Sequence, residues 1–164
     1  MTPAAILLAL VTAERLGELW LARRNTAALV ARGGFEVAPR HYPPIVLLHA
    51  AWLAGLWGFG WSNPVDPAWL AIFLVLQAAR VWVLATLGSR WTTRIVVVPG
   101  APLVTAGPYR FVSHPNYLVV SGEIAVLPLC LDLPWFALVF SLANLAVLAV
   151  RIRAENAALL PFRV

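Results

Sequence analysis

Five stretches of the chain, about 3–22, 43–61, 67–88, 115–131 and 134–153, are almost continuously apolar, and polar residues collect between them. Each is close to the roughly 20 residues a helix needs to cross hydrocarbon. The pattern therefore predicts an all-α integral membrane bundle of about five transmembrane helices, forming a single domain over residues 1–164. Composition agrees: with 62% hydrophobic and 12% charged residues and a mean hydropathy of +0.83, there is too little polar surface to cover a soluble globule.

Charge then orients the bundle. Arg23, Arg24, Arg32 and Arg40 lie in the first connection, Arg90, Arg94 and Arg110 in the third, and Arg151, Arg153 and Arg163 near the carboxyl end, whereas the other two connections carry Asp66 and Asp132 and no arginine. By the positive-inside rule the amino end is expected outside and the carboxyl end in the cytoplasm. The pI near 10.7 thus reflects topology and attraction to anionic headgroups, and no nucleic acid is expected as a partner. Trp57, Trp61, Trp69 and Trp135 flank the two outer connections, as interfacial aromatics do. Glu14, Arg15 and Glu18 interrupt the first apolar run, which argues against a cleaved signal peptide. One cysteine, Cys130, and three scattered histidines give neither a disulfide nor a metal site.

The outer connections, 62–66 and 132–134, are too short to build a site, so chemistry is expected on the cytoplasmic side. There the segment from Ser89 to His114 carries Pro99, Gly100, Pro102, Gly107 and Pro108, which forbid a continuous helix. Irregular backbone at a membrane face has to be buried in protein or line a wet cavity.

Ionisable groups inside spans cost roughly 2.5–3.5 kcal/mol each on insertion scales, so each needs a partner or a purpose. Glu14 and Glu18 share a helix face and Arg15 reaches Glu18 at three residues, while Glu123 has no local partner. Arg15, Glu18 and Glu123 are read as packing ion pairs or snorkelling groups. Gln77 and Arg80 share a face of the third span, and Asn144, Leu148, Arg151 and Glu155 line one stripe of the last. For Arg80, Arg151 and Glu155 a functional role is favoured, with Gln77 and Arg80 as candidate substrate contacts beside Arg151.

Between Gly100 and Tyr117 the chain crowds Tyr109, Arg110, His114, Asn116 and Tyr117 among turn formers. Singly these read as interfacial aromatics, a topogenic charge and a helix start at Pro115. Together they offer a hydroxyl, a planar base, an amide and aromatic faces, which suit a charged aromatic cofactor arriving from the cytosol. Neither a dinucleotide fingerprint nor a phosphate-loop motif is present.

The run Leu-Val-Thr-Ala-Gly-Pro-Tyr-Arg from Leu103 to Arg110, His-Pro-Asn-Tyr from His114 to Tyr117, and Arg151 with Glu155 resemble the isoprenylcysteine carboxyl methyltransferase family over about Gln77 to Leu159. The resemblance implies a membrane-helical methyltransferase without a soluble nucleotide-binding fold. Carried over, Ala101, Pro102, Leu103, Val104, Tyr109, His114, Pro115, Asn116, Tyr117 and Glu155 would contact S-adenosylmethionine, and Arg151 the substrate. The amino half, through Glu18 to Asn25, Ala31 to Glu36 and His41 to Pro43, is similar to a bacterial subgroup associated with type III polyketide synthases that methylates alkylpyrones. The chain departs from the family at Asn156, where a second glutamate is usual, and stops at Val164 without the usual basic tail.

What this implies is an O-methyltransferase at the cytoplasmic face of a bacterial inner membrane, acting on a carboxylate or enol of a lipid-like substrate, with Arg151 as the catalytic residue. The acceptor and the oligomeric state stay open. The competing reading is a non-catalytic small transporter or channel subunit whose arginines and glutamates line a polar path. That reading calls for polar residues through the full bilayer depth, and the outer halves of the spans are nearly free of them.

Overall fold

The computed structural model describes residues 1–160, without the side chain of His41, and Arg163 lies outside the described residues. Five α-helices dominate it: α1 (Pro3–Ala31), α2 (Tyr42–Gly60), α3 (Pro67–Leu87), α4 (Pro115–Cys130) and α5 (Pro134–Leu159). Each has proline in its first turn, where the missing N–H is no loss and the fixed φ suits the helix. Thr2 caps α1 by accepting from the Ala5 amide at 3.1 Å, and Asp66 caps α3 by accepting from Ala68 at 2.8 Å and Trp69 at 3.2 Å. α2, α3 and α5 are long and apolar enough to cross a membrane, and α4 is a shorter apolar helix.

Two boundaries differ from the sequence reading. α1 and α5 run on to Ala31 and Leu159, well past the charges that mark the ends of their apolar runs. Charge ends a hydrocarbon-compatible stretch without ending a helix, since arginine and glutamate are good helix formers. The structure also adds a two-stranded antiparallel pair, β1 (Phe35–Glu36) with β2 (Val96–Val97), in which Phe35 faces Val97 and Glu36 faces Val96. It joins the two long connections at one end of the bundle. The short connections meet at the other end, where the Asp66 amide donates to the Cys130 carbonyl at 2.9 Å and Asn63 Nδ2 to the Leu131 carbonyl at 2.8 Å.

Between these ends the interior is layered. Leu8, Val11, Trp52, Leu56, Phe73, Ile124 and Leu127 form a dry core toward the short connections. Lipid offers no hydrophobic drive between helices, so tight packing has to hold them. At Gly122 of α4 an added Cβ would lie 2.9 Å from the Leu76 side chain of α3, and the missing side chain is what lets these two helices approach. The outward faces carry Leu10, Leu47, Leu74, Val75, Leu118, Val139 and Leu142, all exposed, as expected of helices solvated by lipid.

Beneath the core lies a charged layer. Arg80 donates through Nε to Glu123 Oε1 at 2.8 Å, pairs with Glu123 Oε2, and reaches Glu18 Oε1 at 3.0 Å. Arg15 bridges the same acids, Glu18 at 2.9 Å and Glu123 at 3.1 Å, and Gln77 Nε2 donates to Glu123 Oε1 at 2.8 Å. Glu123 therefore does not stand alone, as its local sequence suggests; it is the hub joining α1, α3 and α4. The pairing satisfies groups that hydrocarbon would otherwise penalise.

Candidate active site

The third layer, at the end with the long connections, contains a cavity of about 440 Å³. It lies between the last turns of α1, α3 and α5, the first turn of α4 and the irregular segment 88–114. That segment is built as expected from its prolines and glycines: a 3-10 turn at Gly88–Arg90, β2, and a second 3-10 turn at Gly107–Arg110. Gly107 has φ +57°, and a Cβ there would fall 2.4 Å from Thr86 Oγ1, itself bonded to the Trp82 carbonyl at 2.8 Å. Gly107→Ala is expected to cost about 1–3 kcal/mol in backbone strain and to displace Tyr109 two residues on. A lowered thermal midpoint together with weakened ligand binding by the cavity would show both effects.

Ala101, Pro102, Leu103, Val104, Tyr109, His114, Asn116 and Tyr117 line the cavity with Arg151 and Glu155. Pro115 starts α4 without lining it. Gln77 and Arg80 are not brought there: both belong to the charged layer. At the centre, the Tyr117 hydroxyl donates to Glu155 Oε2 and accepts from Arg151 Nε at 2.7 Å. One tyrosine on α4 thus couples two residues four apart on α5. Arg151 is buried, and its Nη2 also donates to the Thr93 carbonyl at 2.8 Å. The His114 ring stacks on Tyr117 with centroids 5.3 Å apart, and its Nε2 lies 3.1 Å from Asn156 Oδ1. Asn156, the departure from the family pattern, holds the histidine. Burial first, and the Glu155 charge second, push the Tyr109 phenol up to about 12, so it stays neutral at ordinary pH.

Sequence reasoning missed the amino-half wall. Leu29 and Arg32 line the cavity, as do Arg90, Trp91 and Arg94. Asn25 Nδ2 secures the wall by donating to the carbonyls of Gly88 at 3.2 Å and Trp91 at 2.8 Å. The resemblance through Glu18 to Asn25 and Ala31 to Glu36 covers part of this wall without assigning it to a site. Among the described residues, two lining side chains keep fully buried polar atoms without a hydrogen-bond partner, the Trp91 indole N–H and Asn116 Oδ1. Such orphans are costly.

Fold and site define a class: a polytopic α-helical membrane protein with a polar, aromatic-lined cavity at one end of the bundle. The isoprenylcysteine carboxyl methyltransferase (ICMT) family profile matches residues 69–161, and the chain belongs to that family. It is accordingly an integral membrane protein of a methyltransferase family, and ICMT methyltransferases generally use S-adenosylmethionine. Two bacterial proteins are similar over nearly the whole chain. The uncharacterized protein YpbQ of Bacillus subtilis strain 168 is 37% identical over 164 residues, covering 97% of this chain and 98% of its own. An uncharacterized protein of Haemophilus influenzae Rd is 28% identical over 160 residues, covering 94% and 93%. No solved structure matches the chain.

Proposed function

We propose that the protein transfers a methyl group from S-adenosylmethionine to an anionic oxygen of a lipid-like acceptor, at the cytoplasmic face of a bacterial inner membrane. The observation that carries this reading is the Arg151–Tyr117–Glu155 arrangement on the wall of a cavity of about 440 Å³. The fit is chemical. A cavity of this size falls within the range of small-molecule sites, roughly 300–1,000 Å³. Glu155 offers an acceptor to amino and hydroxyl groups, and Tyr109, His114 and Tyr117 offer rings to a purine. Ala101 to Val104 supply backbone and small apolar surface.

When bound, S-adenosylmethionine supplies an electrophilic methyl on a sulfonium, and transfer to an oxygen anion neutralises both charges. The chain's share of the work is alignment and exclusion of water. Arg151, held in place by Tyr117 and Thr93, orients the acceptor oxygen, and no strong base is required because a carboxylate, and nearly so an acidic enol, is already ionised. An alkylpyrone enol or a prenylated cysteine carboxylate fits this charge; an amine does not. The acceptor's tail stays in the bilayer and enters between helices.

Calorimetric titration of the detergent-solubilised protein with S-adenosylmethionine is expected to give micromolar binding. Transfer of labelled methyl from that donor into a bacterial lipid extract would then identify the acceptor. Folded protein that binds no S-adenosylmethionine overturns the reading.

A further inference from the structure

We propose that Tyr42, in the amino half that the family profile does not cover, is a positioning residue for Arg151, acting through Thr93. The turn Thr92-Thr93-Arg94 touches the Arg151 guanidinium directly, because the Thr93 carbonyl accepts from Arg151 Nη2 at 2.8 Å. The amino half holds this turn at several points. The Tyr42 hydroxyl lies 3.0 Å from Thr93 Oγ1, and the Arg94 guanidinium stands 4.5 Å from the centroid of the Tyr42 ring. Glu36 pairs with Arg94 at 2.6 Å, and the Val37 amide donates to the Ile95 carbonyl at 2.9 Å beyond the β1–β2 pair. Thr92 Oγ1 closes the turn on the Arg94 carbonyl at 2.6 Å.

Tyr42 is the residue that touches both sides of this turn, by hydroxyl to Thr93 and by ring to Arg94. A guanidinium works through a planar fork whose direction has to be set, so a carbonyl that drifts turns the fork. Displacing a reacting group by about an ångström costs on the order of 100-fold in rate. The amino half therefore tunes the acceptor-binding group from outside the cavity, without lining it at Tyr42.

The proposal rests on the role given to Arg151 above, and its test separates the two. The full-length protein, labelled with 15N-arginine in detergent micelles, gives side-chain Nε–H resonances, and the one lost in Arg151→Lys belongs to Arg151. Tyr42→Phe and Tyr42→Leu are expected to shift that resonance and speed its exchange with water while the Arg80 resonance stays fixed, which certifies the fold. Thr93→Val, removing Oγ1 and keeping the carbonyl, should do the same. An unmoved Arg151 resonance in all three variants overturns the proposal. In methyl transfer to lipid extract, Tyr42→Leu is expected to lower turnover about tenfold with S-adenosylmethionine affinity within about twofold, and to add nothing in an Arg151→Ala background. A further multiplicative loss there also overturns it. Wild-type protein that binds no S-adenosylmethionine removes the functional reading instead, and the resonance then decides the Tyr42–Arg151 coupling by itself.

Discussion

Arg80→Met is expected to destabilise the bundle by about 3–5 kcal/mol, the cost of removing one partner of a buried ion pair. The Arg80 and Glu123 side chains are only 5% and 3% exposed, so solvent cannot take over the lost pairing. Arg15 would then face Glu14, Glu18 and Glu123, with Gln77 as a neutral donor to Glu123. Adding Glu123→Leu to Arg80→Met should recover a large part of the loss, because it removes the stranded carboxylate and keeps apolar volume. Thermal unfolding followed by circular dichroism in one detergent gives both values. A double variant no more stable than Arg80→Met would show that the pairing between Arg80 and Glu123 contributes little.

Arg151→Ala is expected to lower methyl transfer by about 100-fold while S-adenosylmethionine affinity changes by less than about threefold. Glu155→Ala is expected to act the other way, weakening S-adenosylmethionine binding more than turnover at saturation. The division follows from the geometry: the Tyr117 hydroxyl stands between the two side chains, so each can be removed while the tyrosine keeps one partner. Arg151→Lys should not rescue, since Nε and Nη2 hold two acceptors in different directions and an ammonium cannot span both. Calorimetry and turnover on the same preparations test this. Equal loss of binding and turnover in Arg151→Ala would end the assignment of separate roles.

The helices were readable because lipid imposes a length and a polarity that any sequence must obey. The irregular segment from Ser89 to His114 was readable for a related reason, since its prolines and glycines exclude a continuous helix. Glu123 was not. Arg15 lies 108 residues away in sequence, and no local pattern announces such a partner. The same holds for the Thr93 carbonyl, a backbone group that any residue type could supply, and for β1 and β2, whose two residues each are too few to show alternation. Asn25 and Tyr42 act on the site through backbone and hydroxyl contacts made across the bundle, so their types alone carry no sign of the task.

α4 has 16 residues, a rise of about 24 Å against roughly 30 Å of hydrocarbon, whereas its neighbours α3 and α5 are 21 and 26 residues long. A bilayer answers a short span by thinning beside it. Under the proposed function, thinning along the helix whose first turn carries Tyr117 would bring lipid headgroups toward the cavity, where an amphiphilic acceptor would meet Arg151 with its tail still dissolved. The thickness of the host membrane, set by acyl-chain length, would then become a variable of the proposed reaction.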